Sequence, residues 1–558
     1  MIKTELIDSK NYLPTNAIKD ILDIIPYNNR YTKSYLFLAK LISDDYHVTE
    51  VRSIEPISNL LFYKEYGIKL DKSADFKEVN SEKLEIHTEN TIYRAIMYND
   101  LETFVAFTER DGFDKNQVLK CDLYPSPYKR YSLLELCCYH GAVDCFKFLR
   151  TKFSSEITEK CLEFSFLGRN NEIMSECLKY QKPNYKCMEY AIISHNIDFV
   201  TFLMNEYNLE IDLIDCGNYK NIESFLVYFD QTNDIKKCFI YSVILNILSF
   251  LEYFLSLGAN INEKVEQGRT ALHYAAMKNK KETAEVLILH GANINEKDEY
   301  GQTALHYAAM KNKKETAEFL ILHGANINEK DKHGQTALHI AAEYNSKETA
   351  EFLISLGANI NEKDEHGRNA LHHAAMNNKK ETAEFLISLG ANINEKDEYG
   401  KTALHYAARN NNKETAEFLI SLGANINEKD EHGRTALYFA AWNNSKETAE
   451  VLILHGANVN EKAEYGQTAL HIAAEYNKKE TAEFLILHGA NINEKNDYGD
   501  TALHYAAEFN NNETAEFLIL HGANINEKND DGKTALRIAM DYNKEETAEV
   551  LILHGAKE

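Results

Sequence analysis

Histidine recurs at a fixed interval of 33 residues over much of the chain, and such a column could in principle bind metal ions. The positions are His273, His306, His339, His372, His405, His471 and His504. Packed helices lie about 8 to 10 Å apart, whereas zinc requires ligands at about 2 Å, so successive histidines cannot share one ion. Tyr438 and Arg537 replace histidine in two copies. We therefore predict no metal site and expect each imidazole to bond backbone in a neighbouring turn.

The cysteines suggest zinc binding or redox chemistry as a second possibility. All nine lie in the first half of the chain, and Cys137, Cys138 and Cys145 form the densest group, beside His140. This group lacks the paired C-x2-C spacing of structural zinc sites. We expect Cys137 and Cys138 to be small core residues, and all nine to be reduced thiols of an intracellular protein.

Motifs of enzyme chemistry are absent from the sequence. There is no phosphate-binding glycine loop, no G-x-S-x-G nucleophile elbow and no H-E-x-x-H pair. The acids Glu315 and Glu318 lie three residues apart, but the pair recurs in every copy, which indicates a solvated helix face. We expect no catalytic residues, no cofactor and no enzyme activity. An enzyme within residues 1–234, with the remainder as its targeting arm, is the alternative.

Charge and hydropathy exclude two classes of partner. The 558 residues include 86 Asp and Glu against 61 Lys and Arg, a formal charge of −25, which disfavours nucleic acid and anionic membrane surfaces. The most apolar stretch, Cys238 to Leu251, contains Asn246 and is shorter than the roughly 18 to 20 residues of a membrane helix. We expect no membrane insertion and a cytoplasmic location, with the nucleus also possible.

A unit of 33 residues, copied nine times, supplies the elements that carry these side chains. In the copy from Asp298, Thr303 is placed to cap a short helix, and Asn312 ends it in a left-handed conformation. A second helix runs through Ala317 and ends at Gly324, and the polar segment that follows suits a turn or hairpin.

This unit resembles the ankyrin repeat. Thr303-Ala304-Leu305-His306-Tyr307-Ala308 is similar to the family signature T-P-L-H-x-A, and Gly324-Ala325-Asn326-Ile327-Asn328 is similar to its G-A-x-V-N ending. Ala replaces the signature Pro in every copy, and Asn replaces the Gly between the helices. The resemblance implies an all-α ankyrin-repeat solenoid, with two helices and a hairpin loop in each repeat.

The sequence predicts four regions. Residues 1–90 form an N-terminal helical region of unknown role, and residues 91–234 form a divergent ankyrin-like helical domain. Residues 235–264 form a degenerate transition repeat, since Asn246 aligns with Asn279. Residues 265–558 form the nine regular repeats.

Variation between the copies is concentrated at two places, the hairpin tips and the end of the first helix. A line of Tyr and His beside Arg, Lys and Gln is typical of protein-binding surfaces, although drift in exposed loops also produces variation. In the resembled family these two surfaces form the concave binding face. At the tips, the predicted binding residues are Tyr300, Gln302, His333, Gln335, His366, Arg368, Tyr399, Lys401, His432 and Arg434. On the first helices they are Met310, Tyr344, Met376, Arg409 and Trp442.

These patterns predict a non-catalytic scaffold or adaptor that binds a protein partner on the tips and first helices. The mixed charges of the array favour a partner with basic patches. A mechanical spacer or cytoskeletal link is a further alternative, and it predicts that the tip residues can be changed without loss of function.

Overall fold

The computed structural model describes residues 13–72, 74, 76, 90–125 and 130–557. Their secondary structure is almost entirely helical, and helix pairs repeat along the chain, which confirms the expected all-α repeat solenoid. Contacts divide the chain into a first unit that ends at Ala259 and a second that begins at Asn260. The finer boundaries at residues 90, 234 and 264 stay predictions, and residues 77–89, beside the first of them, lie outside the described residues.

The second unit contains the regular repeats, each with a first and a second helix. The first helices are Ala271–Met277, Ala304–Met310, Ala337–Glu343, Ala370–Met376, Ala403–Arg409, Ala436–Trp442, Ala469–Glu475, Ala502–Glu508 and Ala535–Asp541. The second helices are Lys281–Leu289, Lys314–Leu322, Lys347–Ser355, Lys380–Ser388, Lys413–Ser421, Lys446–Leu454, Lys479–Leu487, Asn512–Leu520 and Glu545–Leu553. Short 3-10 turns cover Glu266–Gly268 and Glu464–Gly466.

The turn between the two helices is made by asparagine in the left-handed conformation, as predicted. The φ angles of these residues lie between 50° and 59°, a region that Asn tolerates better than most residues. They are Asn279, Asn312, Asn345, Asn378, Asn411, Asn444, Asn477, Asn510 and Asn543. At the hairpin tip Gly301 has φ 77°, and a Cβ there would meet the backbone nitrogen of Lys332 at 2.8 Å, so only glycine fits.

Small and aliphatic side chains form the core of the stack. Leu305, Ala308, Ala309, Ala317 and Leu320 are all buried. First helices pack on the first helices of neighbouring repeats, and second helices pack on second helices. Each repeat therefore depends on its neighbours for burial, as expected of a solenoid.

Polar side chains also join neighbouring repeats. The Thr448 hydroxyl donates to Asn411 Oδ1 at 3.1 Å, and equivalent bonds of 2.7 to 3.1 Å run from Asn279 to Thr547. Lys297 pairs with Glu329 at 2.7 Å, a contact that recurs from Lys264 to Glu527. These constant Asn, Thr, Lys and Glu residues therefore stabilise the scaffold itself.

The first unit is also built largely from helices. They are Pro14–Asp23, Thr32–Asp45, Pro56–Tyr66, Ile92–Met97, Leu101–Thr108, Leu133–His140, Val143–Phe153, Glu159–Leu167, Asn171–Cys177, Tyr185–Ile193, Ile197–Tyr207, Leu213–Asn218, Ile222–Thr232, Ile235–Leu245 and Leu248–Ser256. Two 3-10 turns, Ile25–Tyr27 and Asn29–Tyr31, follow the first helix, and two short antiparallel strands, Val118–Leu119 and Tyr131–Ser132, pair with each other.

From Ile92 onward these helices form pairs like those of the regular repeats. The residues between paired helices are again left-handed, at Asn99, Gly141, Arg169, His195, Lys220 and Asn246. The apolar stretch noted in the sequence is broken at Asn246 into two separate helices. Across the described ranges, no helix has both the length and the apolar character needed to cross a membrane.

Candidate protein-binding surface

In five of the nine hairpin tips, an aspartate at the base holds the tip backbone in place. Asp298 Oδ1 accepts hydrogen bonds from the backbone nitrogens of Tyr300 and Gln302, both at 2.8 Å, and Asp298 Oδ2 accepts one from Tyr307 Oη at 2.6 Å. Asp331, Asp364, Asp397 and Asp430 bond their own tips in the same way. The tip backbone is therefore fixed, while its side chains are left for other contacts.

The predicted tip residues are all at least partly exposed. Tyr300 is 48% exposed and Tyr399 is 41% exposed. The others at the tips are Gln302, His333, Gln335, His366, Arg368, Lys401, His432 and Arg434, and none is buried. The tips of this unit can therefore be reached by a partner.

Three tip histidines link neighbouring tips. His333 Nδ1 lies 2.9 Å from Glu365 Oε1, and His432 Nδ1 lies 2.8 Å from Glu464 Oε2. His366 contacts Glu398 at 3.1 Å in the same way. The exposed rings are therefore held in rows, which lowers the conformational entropy that a partner must remove on binding.

Asn496 and Asn529 replace the aspartate in two tips and still accept from the tip backbone, but two other tips have an apolar residue there and a different backbone. In these, Val265 and Ala463 occupy the position of the aspartate, and both tips form 3-10 turns with left-handed residues, Gln267 at φ 63° and Tyr465 at φ 62°. The sequence analysis treated all tips as equivalent. The apolar residue in place of Asp is the sequence feature that could have predicted this difference in backbone conformation.

Tip and first-helix residues meet around Phe439. Lys401 Nζ lies over the rings of Tyr399 and Phe439, at 5.1 and 5.4 Å from their centroids, and Arg434 lies 4.9 Å from the centroid of Phe439. The rings of Phe439 and Trp442 stack with centroids 6.1 Å apart. Such arrangements are attractive cation–π and aromatic contacts. The structure therefore joins three of the predicted tip residues and the predicted Trp442 through Phe439, which the sequence analysis did not select.

The cations of this cluster differ in their pairing. Arg434 Nε and Nη2 both lie 2.8 Å from Asp430 Oδ2, and Arg368 makes the matching pair with Asp364. In the parts of the chain that are described, Lys401 forms no ion pair. Burial, assisted by Arg434, lowers the pKa of Lys401. Lys401 is therefore the cation of this cluster that is more available to a carboxylate or an aromatic ring of a partner.

The remaining predicted first-helix residues form a line rather than a cluster. Met310 and Met376 are partly exposed, Arg409 is exposed, and Tyr344 is 49% exposed. They lie on different repeats at equivalent positions, so they extend the surface lengthwise.

The last three repeats carry a concentration of acids on the same surface. At the tip and first-helix positions they have Glu464, Glu475, Asp497, Asp500, Glu508, Asp530, Asp531 and Asp541, with Lys533 and Arg537 as their basic residues. Exposed rings accompany them, namely Tyr465, Tyr476, Tyr498, Phe509 and Tyr542, each between 42% and 56% exposed. We call these last three repeats, on this surface, the acidic segment.

Two carboxylates of the acidic segment are held close to like charges. Burial, with Glu508 adding repulsion, raises the pKa of Glu475. Burial, with Asp500 adding repulsion, raises the pKa of Glu508. Glu475, Tyr476 and Phe509 lie at the variable end of the first helix, but the sequence analysis did not select them as binding residues.

The histidine column has the structural role that was expected. His273 Nδ1 accepts from the backbone nitrogen of Thr270 at 3.0 Å, and His273 Nε2 donates to the Gln302 carbonyl of the next repeat at 3.0 Å. Burial lowers the pKa of His273, His339 and His372 to about 4. These imidazoles are therefore neutral at pH 7 and connect one repeat to the next.

The cysteines are buried free thiols, including Cys137 and Cys138. Burial raises the pKa of Cys137 and Cys138 well above the usual value for a thiol. Within the described residues, no three His, Cys, Asp or Glu side chains are arranged to hold a metal ion. The two cysteines therefore lie in the core, as the sequence predicted.

Two family profiles match the chain. One, described as "Ankyrin repeats (3 copies)", matches overlapping segments that together run from residue 217 to residue 558, more than half of the chain. The other, described as "Domain of unknown function (DUF3447)", matches residues 153–228. A search among curated proteins gave no match.

Proposed function

The chain belongs to the ankyrin-repeat family, whose repeats are in general protein–protein interaction modules, and from that premise we propose that it is a non-catalytic scaffold or adaptor. It binds a protein partner on the surface formed by the hairpin tips and the first helices. We place this activity in the cytoplasm or nucleus.

One observation carries the proposal, namely the division between constant and variable polar residues. Many polar residues that the repeats share are bonded within the scaffold, as the Asn411–Thr448 and Lys297–Glu329 contacts illustrate. The residues that vary, such as Tyr300 and Arg409, are exposed. Side chains that the scaffold does not use are the ones available to a partner, and aromatic and arginine side chains are enriched in protein interfaces.

The acidic segment supports a partner with basic patches. Its exposed rings offer apolar area and cation–π contacts to Lys and Arg side chains, and its carboxylates attract the same cations. The surrounding charge of −25 extends this attraction to the approach of the partner.

A comparison of three baits tests the proposal. The full chain, a tip variant and a control variant are each exposed to lysate of the source cell, and retained proteins are identified by mass spectrometry. The tip variant carries Ala at Tyr300, His333, His366, Tyr399 and His432. A protein retained by the full chain and lost by the tip variant is then purified, and its affinity for all three forms is measured in solution.

The control variant changes five exposed residues of the second helices to Ala, namely Glu285, Glu318, Glu351, Glu384 and Glu417. We expect the control variant to retain the partner and the tip variant to lose it. Equal affinity of the partner for all three forms would contradict binding at the tips and favour the spacer alternative.

A further inference from the structure

The first unit contains a cavity of about 300 Å³ that the proposed function does not use. It lies between the segment around the turns Ile25–Tyr27 and Asn29–Tyr31 and the ends of three successive first helices. Those helices are Leu133–His140, Glu159–Leu167 and Tyr185–Ile193. A cavity of this size falls at the lower end of the range for small-molecule sites.

The cavity is lined by basic and hydrogen-bonding side chains. Its walls include Arg30, Arg169, Tyr31, Tyr35 and His195, and no Asp or Glu is among the lining residues. This composition is unusual in a chain that carries a formal charge of −25. A pocket of positive charge without internal carboxylates favours an anion from outside.

The two guanidinium groups are not neutralised by carboxylates of the described chain. Arg30 Nη2 donates to the backbone carbonyl of His140 at 2.8 Å, which uses only one of its donors. The exposed Arg169 side chain makes no hydrogen bond or ion pair within the described ranges, although its charge acts on Tyr35 and His195. Both groups therefore retain donors for a ligand.

The backbone at two of these residues supplies an independent argument. Arg169 has φ 53° and His195 has φ 52°, in the left-handed turns where every regular repeat has asparagine. This conformation disfavours Arg relative to Asn or Gly, whereas His tolerates it better, so Arg169 carries the argument. A residue kept in a disfavoured conformation points to a functional requirement for its side chain.

The next left-handed turn, at Lys220, has a basic side chain that is bonded only within the fold. Lys220, with φ 58°, donates to the carbonyls of Gly217 and Ile244 at 3.1 and 3.2 Å. His195 Nε2 likewise lies 3.0 Å from the Tyr219 carbonyl. Arg169 has no such bond in the described chain, so packing alone does not account for it.

We propose that this cavity binds a small organic anion, whose carboxylate or phosphate group is held by Arg30 and Arg169 while its apolar part lies against Tyr31 and Tyr35. Arginine binds carboxylate and phosphate groups alike through charge-assisted hydrogen bonds, so both are candidate ligands of this cavity. The inference concerns the first unit and does not depend on the proposed partner binding by the repeats.

Ligand-observed NMR with the full chain tests the proposal with three probes of similar ring size. Phenyl phosphate and benzoate carry the two candidate anions, and phenol carries the ring without the charge. We expect one or both anions to bind and phenol to bind more weakly. Binding of phenyl phosphate alone, or of benzoate alone, identifies which anion the site prefers.

The variant Arg169→Asn separates binding from folding. Asn is favoured in the left-handed turn, so the thermal midpoint of this variant should equal or exceed that of the parent chain. Its affinity for the anion should fall about tenfold, because charge-assisted hydrogen bonds are lost. The exposed Arg110, outside the cavity, provides the matched control Arg110→Asn, which should bind as the parent does. Absence of anion binding, equal binding of phenol, or unchanged binding by Arg169→Asn would overturn the proposal.

Discussion

At the residue scale, the asparagine at the turn between the two helices has a role that glycine could not fill. Both residues adopt the left-handed conformation, but only Asn supplies an amide oxygen. Asn411 Oδ1 accepts from the Thr448 hydroxyl at 3.1 Å and from its backbone nitrogen at 3.2 Å. Thr448 is fully buried, so these donors have no access to water. The departure from the family pattern therefore couples one repeat to the next.

Replacement of this residue by glycine tests the coupling. Asn411→Gly should lower the free energy of unfolding by about 1 to 2 kcal/mol, because buried donors lose their acceptor. The matched control is Asn543→Gly, since no threonine donates to Asn543 in the described chain. Urea unfolding of both variants is the measurement. Equal effects of the two changes would show that the Asn–Thr bond contributes nothing.

The tip aspartate gives a second prediction, in which stability should increase. Ala463→Asp recreates the arrangement at Asp331, whose Oδ1 accepts from the backbone nitrogens of His333 and Gln335 at 2.9 Å. The change should also remove the need for a left-handed Tyr465. We expect a gain of about 1 kcal/mol, typical of a side-chain cap. Val265→Asp provides a second example of the change, and a loss of stability in both variants would contradict this account.

At the element scale, seven of the nine first helices begin with the same capping arrangement, the exceptions being those with Tyr438 and Arg537. The Thr or Asn cap and the histidine three residues later satisfy donors at the helix start, and the imidazole continues to the next repeat. The sequence-based expectation that Ala in place of Pro would not change the fold agrees with helices that begin at Ala304 and its equivalents. In those seven repeats, capping and stacking therefore depend on one neutral histidine.

These histidines make stability depend on pH. Their pKa in the folded chain, about 4 for His339, lies below 6.5, so the unfolded chain binds more protons between these values. Stability is complete above pH 6.5 and is lost as pH falls toward 4, by about 1.4 kcal/mol per pH unit for each such histidine. Urea midpoints between pH 7 and 5, above the range where most carboxylates titrate, should fall for the parent chain. His339→Gln should have a shallower slope, and an identical slope would contradict the assignment.

The charge of the repeat surface is uneven at the scale of the whole molecule. Basic residues such as Arg368, Lys401 and Arg409 lie in the middle repeats, whereas the acidic segment occupies the last three. Burial, together with repulsion within that segment, raises the pKa of Glu475 and Glu508, so their charges oppose folding. Charges that weaken the fold are typical of binding surfaces, where stability is exchanged for function.

Neutralising these two acids should therefore have opposite effects on stability and on binding. The double variant Glu475→Gln and Glu508→Gln should raise the thermal midpoint, because the cost of burying the two charges and their repulsion are removed. It should also weaken the binding of a basic protein partner and reduce the dependence of that binding on salt. Glu343→Gln, at the equivalent position of an earlier repeat, is the control for both measurements. Unchanged affinity of the double variant would exclude the acidic segment from the interface.

Local periodicity in the sequence determined much of this protein. The helix pairs, the left-handed turn at Asn312, the capping role of Thr303 and the core positions of Cys137 and Cys138 all follow from short-range patterns. Such features depend on residues within one or two helical turns, where spacing reflects backbone geometry directly.

Only the tertiary structure decided which distant side chains meet. Thr448 reaches Asn411 across 37 residues, Lys401 reaches the ring of Phe439, and Arg30 and Arg169 line one cavity although they lie on separate elements. The tip at Ala463 also differs from its neighbours. These outcomes depend on how the helices stack and on which side chains fill the space between them. The order of residues along the chain does not give the distances between side chains that are far apart in sequence.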